Sequence, residues 1–305
     1  MMTTTLSTLP TWHAGEKALQ AQLGVAERME AIGPRIVRDH MPDQHRDFYA
    51  QLPFVVAGSV DAHGDAWATL LAGKPGFMSS PTPATLDIAM LADVNDPAQA
   101  GLRVGDPIGL LGIEMHTRRR NRMNGVVEPT AQGWRVQVDQ SFGNCPRYIT
   151  VRDVDLVRDP VQPGTGIVEE INVLDDAAAG MVRNADTFFV ASYVDRESRR
   201  QVDVSHRGGK AGFVQVDADG LLTIPDYSGN QFFSTLGNLV VNGKAGLLFV
   251  DFVNGDVLQM TGDAKVILDT PDLARFEGAE RLWTFRPRRI VRRPGALALR
   301  SRGAG

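Results

Sequence analysis

The stretch DVSHRGGKAGFVQVDADGLLTIPDYSGNQFFSTLGN, Asp203 to Asn238, decides how the rest of the chain is read. Its first part, Ser205-His206-Arg207-Gly208-Gly209-Lys210, supplies two cations, a hydroxyl, an imidazole and a backbone able to take positive φ and turn its N–H groups toward an anion. That inventory suits a phosphate. An apolar run of strand length, Leu221 to Ile224, follows and ends at Pro225, which cannot donate to a sheet ladder. A second polar turn, Asp226-Tyr227-Ser228-Gly229-Asn230, comes next. Two polar turns after two strands can flank one ligand, and the same residues can equally form a Gly-rich hairpin with solvated charges.

The chain repeats itself. Val60-Asp61 recurs as Val194-Asp195, Gly76-Phe77 as Gly212-Phe213 and Leu86-Asp87-Ile88 as Leu222-Thr223-Ile224. Gly109-Leu110-Leu111 recurs as Gly246-Leu247-Leu248 and Gly125 as Gly262, all at spacings of 134 to 137 residues. So constant a spacing marks two copies of one all-β unit of domain size. Overlaid at 136 residues, His206 and Arg207 fall on Leu70 and Leu71, Asp226 on Met90 and Asn230 on Val94. The polar set exists only in the second copy. A hairpin chemistry demanded by the fold would be needed twice, so its absence from the first copy argues for a ligand held chiefly by the second.

At 305 residues the chain has room for two domains, each with its own core. A net charge of −4 gives no basic field to recruit nucleic acid. No apolar run reaches the ~18 residues of a membrane helix, so no membrane partner is expected. The start MMTTTLSTLPTWH has neither the basic nor the apolar region of a leader, and a cytoplasmic location is expected. The single cysteine, Cys145, excludes an intrachain disulfide and reads as a small buried apolar residue. None of the six histidines has metal-ligand spacing, so no metal site is expected.

Along the chain, residues 1–50 are expected to be helical: a frayed start to residue 14, an amphipathic helix over Gly15 to Ile32 and another from Pro42 to Ala50, both capping the first barrel. Residues 51–152 form that barrel and 167–290 the second, with a linker over Asp153 to Gly166 and a basic, partly mobile tail over 291–305. In His116 to Met123, reading HTRRRNRM, strand alternation puts Arg118, Arg120 and Arg122 on one face and Arg119 with Asn121 on the other. Either this is an edge strand guarded by charge, or one face reaches between the barrels toward an anionic ligand. Trp283 is expected in the core.

The stretches MPDQHRDFY, TRRRNRMNG, SFGNCPRYI, ADTFFVAS, DVSHRGGKAGF, PDYSGNQFFSTLGN, GLLFVDF and RLWTF make the chain similar, over most of residues 40–290, to a known family. It resembles the pyridoxamine 5'-phosphate oxidase-like, FMN-binding split-barrel superfamily, and within it a tandem two-barrel group of flavin-nucleotide-binding proteins. The resemblance implies a mainly β protein with a few helices and two tandem FMN-binding split barrels, the first degenerate and the second holding FMN in the groove between them. Chains pairing as a homodimer are also implied. Carried over by residue, the phosphate sits at Ser205, Arg207 and Lys210 with help from Asn230, and the ring lies along Ile224, Pro225, Asp226 and Tyr227. Thr235 and Asn238 stand behind these, and His206 either tunes the flavin or is structural. From the first barrel, Arg118, Arg120 and the turn at Asn144 close the groove. The end RRPGALALR departs from the Arg-Leu-x-Pro close of the oxidases, so pyridoxamine phosphate is not the expected substrate.

The function these features imply is an FMN-dependent oxidoreductase acting on a small substrate, with NADH or NADPH as candidate reductant. The flavin carries the hydride chemistry and no residue is assigned as catalytic. The alternative is a flavin or F420 carrier without turnover of its own.

Overall fold

The computed structural model describes residues 10–302 apart from 101, 163, 165 and 198. Most of the expected frayed start and the last three residues of the expected tail lie outside that range. The chain opens with α1 (Ala14–Gln22), α2 (Ala26–Ile36) and α3 (Asp43–Gln51). The first sheet is built from β1 (Phe54–Val60), β2 (Ala66–Ala72), β3 (Met78–Ser79), β4 (Thr85–Ala89), β5 (Pro107–Glu114), β6 (Arg119–Thr130) and β7 (Gly133–Gly143), with the short α4 (Pro97–Ala100) between β4 and β5. β8 (Val154–Leu156), β9 (Glu169–Ile171) and α5 (Asp176–Asn184) lead to the second sheet. That sheet runs through β10 (Thr187–Arg196), β11 (Arg199–Gly208), β12 (Gln215–Val216) and β13 (Leu222–Tyr227), then α6 (Ser234–Asn242), then β14 (Lys244–Asp251), β15 (Asp256–Ile267) and β16 (Ala279–Arg293). β17 (Leu299–Ser301) ends the described chain.

The duplication is exact in topology. The sheets run β2-β1-β5-β6-β7-β4-β3 and β11-β10-β14-β15-β16-β13-β12, the same order strand for strand, and the fold is a tandem pair of split barrels. Even an irregularity repeats: the ladder slips between Asn124 and Gly125 and again between Thr261 and Gly262. A Cβ on Gly125 would lie 2.0 Å from the Gln137 carbonyl, and one on Gly262 2.1 Å from that of Arg286. Each bulge therefore needs its glycine.

The barrels join along a reciprocal seam. A Cβ on Gly109 of β5 would meet the Val202 carbonyl of β11 at 2.8 Å, and one on Gly246 of β14 would meet the Ala66 carbonyl of β2 at 2.3 Å. These are the repeated Gly-Leu-Leu glycines. Around them an apolar core is shared, with Val56, Ala68 and Leu70 of the first barrel packed among Ala191, Val204 and Leu248 of the second. Each barrel also has its own interior, the second centred on Phe188, Phe249, Trp283 and Phe285, where Trp283 takes its expected core place.

Several expectations need correction. The helix expected over Gly15 to Ile32 is two helices, because Gly24 takes φ +67° between them. α1 does not cap the first barrel: its Gly15 lies against the Gly237 carbonyl of α6, in the second copy. The expected linker contains β8, which pairs with β17 of the expected tail, and Leu297, Ala298 and Leu299 of that tail are buried. The overlay also shifts by one residue on β2 and β11: Phe54 pairs with Ala72 as Phe188 pairs with Arg207, so Arg207 stands on Ala72 and His206 on Leu71. The contrast of polar against apolar survives the shift.

Gly246→Val should cost about 1–3 kcal/mol of unfolding free energy in urea, because its side chain would push the two backbones apart. Gly180→Ala, in α5 with open space around its Cβ, should be neutral or stabilise by up to about 1 kcal/mol.

Candidate functional site

A groove of about 890 Å³, open mouth included, lies between the barrels where β6 faces β11. The first barrel contributes Arg120 and Arg122 from β6 and the turn Asn144, Cys145, Arg147 and Tyr148 after β7. The second contributes Ser205, His206, Arg207 and Gly208 from β11, Pro225, Asp226 and Tyr227 from β13, the loop to α6 with that helix's first turn, and Glu280 with Arg281 from β16. Both walls come from one chain.

β6 is a central strand between β5 and β7, so the arginine run is not an edge. Alternation along it turns Arg120 and Arg122 into the groove, whereas Arg119 lies over the Phe48 ring at 4.9 Å on the other side. Arg122 is buried, donates to Ser205 Oγ and lies 3.4 Å from Asp203 Oδ1. Asp203 also accepts from Asn124 Nδ2 at 2.9 Å and from Asn238 Nδ2 at 3.5 Å. Ser205 Oγ and Thr235 Oγ1 are 2.7 Å apart. The result is one polar network crossing the seam from β6 through β11 to α6.

At the neighbouring position Arg120 donates to the Cys145 carbonyl at 2.6 Å and lies 3.2 Å from His206 Nδ1. A guanidinium cannot accept, so Nδ1 accepts and the ring proton sits on Nε2. Burial, then Arg120, Arg207 and Arg152, holds the His206 pKa well below its ordinary value, and the ring is neutral. Burial and Arg122 push Arg120 down to about 10. Arg207 donates to Asp226 Oδ1 at 2.8 Å and Arg281 to Asp226 Oδ2 at 2.6 Å, so one carboxylate holds two guanidinium groups.

Four buried donors of the lining have no partner within the protein: Arg122 Nε, Asn144 Nδ2, His206 Nε2 and Arg207 Nε. Buried donors are almost always satisfied. The lining carries five arginines against Asp226 and Glu280, and the first turn of α6 adds backbone N–H groups with no side-chain cap. Such a wall receives an anionic, acceptor-rich ligand.

Neither a protein-family model nor a curated protein matches the sequence. Solved structures do. The chain is similar to HupZ from Group A Streptococcus (14% identity, TM-score 0.30, covering 38% of this chain and 90% of that one). It is similar to the FAD-binding protein from Mycobacterium smegmatis (14%, TM-score 0.28, 43% and 100%) and to HutZ, the haem-storage protein from Vibrio cholerae (14%, TM-score 0.28, 41% and 96%). At these scores the likenesses carry no inference about ligand or activity, and the architecture stands on the strand order and registers.

Of the residues singled out in the sequence, Ser205, His206, Arg207, Pro225, Asp226, Tyr227, Asn230, Thr235, Arg120 and Asn144 meet in the groove. Asn230 Nδ2 donates to Asn144 Oδ1 at 3.1 Å, joining the two barrels. Four do not line it. Lys210 is exposed beyond the end of β11, and Arg118 sits in the β5–β6 turn at φ +59°. Ile224 points into the second barrel's core, and Asn238 is buried behind the groove, on Ser192 and Asp203. Gly208 and Gly209 do not take the positive φ expected of them. Gly208 instead makes room for the Tyr148 carbonyl, which a Cβ would approach to 2.0 Å. Cys145 is half-buried in the lining rather than in a core.

Sequence reasoning missed Tyr148, Arg281 and Glu16, and kept Arg122 only as a member of a face. Glu16 enters from α1 and is 5% exposed, with Asp203, Arg196 and Arg122 acting on it. Its carboxylate accepts from the His13 backbone N–H at 2.9 Å, and His13 Nε2 lies 3.5 Å away. Burial, then Asp203, pushes its pKa up to about 8. A raised acid stabilises the fold fully below its unfolded value of 4.5 and loses that contribution as pH rises through 8. His13, pushed down to about 4 by burial, acts in the opposite sense, over the range between 4 and its ordinary 6.5. Between about pH 6.5 and 8 the unfolding free energy should therefore fall by up to about 1.4 kcal/mol per pH unit, and Glu16→Gln should flatten that slope in urea titrations.

Proposed function

We propose that the groove binds FMN and that the protein is an FMN-dependent oxidoreductase acting on a small substrate. The observation that carries this reading is the set of four buried, unpartnered donors, Arg122 Nε, Asn144 Nδ2, His206 Nε2 and Arg207 Nε, converging on one arginine-rich groove. FMN brings a dianionic phosphate and a planar ring edged with acceptors, and so matches both the charge and the donor excess. Ser205, Thr235, Arg122, Arg207 and the first turn of α6 would hold the phosphate; Asn144 and His206 Nε2 would donate to ligand acceptors.

When bound, the flavin supplies hydride and electron transfer. The chain's part is to bind, orient and exclude water. His206, neutral and fixed by Arg120, offers a proton-bearing Nε2 of constant orientation rather than a titrating acid. The Asp226 carboxylate keeps Arg207 and Arg281 apart and aimed, so their positive field is present before a ligand arrives. A flavin or F420 carrier would use the same anion-binding wall; reduction of bound flavin by NADH or NADPH favours the enzyme, and tight binding without reduction favours the carrier. We include pairing of two chains in this reading, to be measured by light scattering, although both walls of the groove already come from one.

The purified protein should show oxidised-flavin absorption and release an FMN mass on heating. Arg207→Ala should weaken FMN binding about tenfold or more, the scale of a lost hydrogen bond to a charged group, while Arg119→Ala, outside the groove, should change it less than about twofold. Equal losses in the two variants would sink the assignment of the groove, and haem-type bands in place of flavin bands would sink the cofactor.

A further inference from the structure

We infer that Tyr148 and Tyr227 form a two-sided aromatic clamp that takes the planar ring of the ligand between the barrels. This inference rests on the FMN reading and adds to it a residue, Tyr148, that the sequence gave no reason to select.

The chain has four tyrosines, and two of them meet at this groove. Tyr148 comes from the turn after β7 and Tyr227 is the last residue of β13, so each barrel supplies one ring. The rings are stacked, with centroids 5.2 Å apart and planes 28° from parallel. This is not core packing. Tyr148 is 42% exposed, and neither ring is among the buried hydrophobic residues.

The chain holds Tyr148 there against local preference. Its φ of +63° is a left-handed conformation that bulky side chains seldom adopt. Its carbonyl lodges where only a glycine, Gly208, leaves space on β11. The Tyr148 hydroxyl donates to the Ser228 carbonyl at 3.0 Å, and Arg147 Nη1 reaches the same oxygen at 3.5 Å. The backbone of Tyr148 is thus anchored to one barrel's strand and its side chain latched to a turn, an arrangement in which the ring can swing about a fixed base.

The duplicated copy supplies an internal comparison. At the spacing of the two bulges' partner strands, 149 residues, Tyr148 corresponds to Leu297; at 136 residues, Tyr227 corresponds to Leu91. The aromatic pair therefore occurs only beside the groove that carries the unpartnered donors. A simple barrel-to-barrel fastener would serve both sides of the seam; a ring-binding clamp is needed on one.

Two tyrosines in direct contact become a sandwich when their separation opens to about 7 Å, twice the optimal contact distance between carbon atoms. An electron-rich phenol ring against an electron-poor isoalloxazine quenches flavin fluorescence by electron transfer. Fluorescence thus reports the clamp independently of turnover.

The test is titration of the full-length protein with FMN, reading flavin fluorescence and affinity for the wild type, Tyr148→Leu, Tyr227→Leu and Tyr148→Trp. The wild type should quench bound FMN strongly. Each Leu variant should bind about two- to tenfold more weakly, the scale of one aromatic pair, and restore fluorescence several-fold. Tyr148→Trp, which keeps an electron-rich ring, should retain the quenching and guards against reading a misfolded Leu variant as support. Wild-type quenching in Tyr148→Leu with FMN bound would overturn the clamp and leave the FMN reading standing. Failure of FMN to bind to the wild type would overturn that reading and the clamp with it.

Discussion

Two close approaches of backbone to backbone set the plan of this molecule. Gly109 lets β5 lie against β11, and Gly246 lets β14 lie against β2. A side chain at either position would have to occupy the space of a carbonyl in the other barrel, and the seam would open. With the seam shut, Val56, Ala68 and Leu70 share a core with Ala191, Val204 and Leu248, so the barrels cannot separate without exposing apolar surface. The same closure brings β6 of one barrel within hydrogen-bonding reach of β11 of the other.

A polar seam inside an apolar one has to be satisfied almost completely. Asp203 does this by accepting from Arg122, Asn124 and Asn238 at once, drawing on both barrels and on α6. A buried ion pair of this kind is weak evidence of stability, since desolvation offsets much of the attraction. Its evident effect is positional: it holds Arg122 at the back of the groove, with Nη2 on Ser205 and Nε left without a protein partner. The arginines there depress one another's pKa values alongside burial, which is the signature of cations gathered for something other than mutual stability.

What the sequence made legible is what sheet geometry repeats locally. The glycines of the bulges and of the seam recur because each copy needs the same backbone at the same place, and the two-residue alternation of Arg120 and Arg122 follows from the pleat. What misled was the behaviour of strand ends. Lys210 continues a basic-looking run but stands past the end of β11, and Arg118 continues the alternation on paper while lying in a turn with positive φ. Gly208 was legible as a glycine that matters, although its use is to admit another segment's carbonyl, which no local pattern encodes. Tyr148 and Glu16 were invisible for the same reason: each acquires its surroundings from elements 79 to 187 positions away, Tyr227 and Asp203.

The tail that fills the far side of the seam has a further consequence. A pair of identical barrels related by a two-fold axis would repeat any groove between them, and so offer two equivalent sites per pair. Here the copies have diverged: Leu70, Val257, Leu297 and Leu299 pack into one continuous apolar cluster on the side opposite the arginines. That side has been converted from a place where a ligand could sit into part of the interior. Fusing the two barrels into one chain thus made asymmetry heritable, with one half of the ancestral symmetry kept for chemistry and the other given to cohesion. The stoichiometry this architecture encodes is one ligand for two barrels.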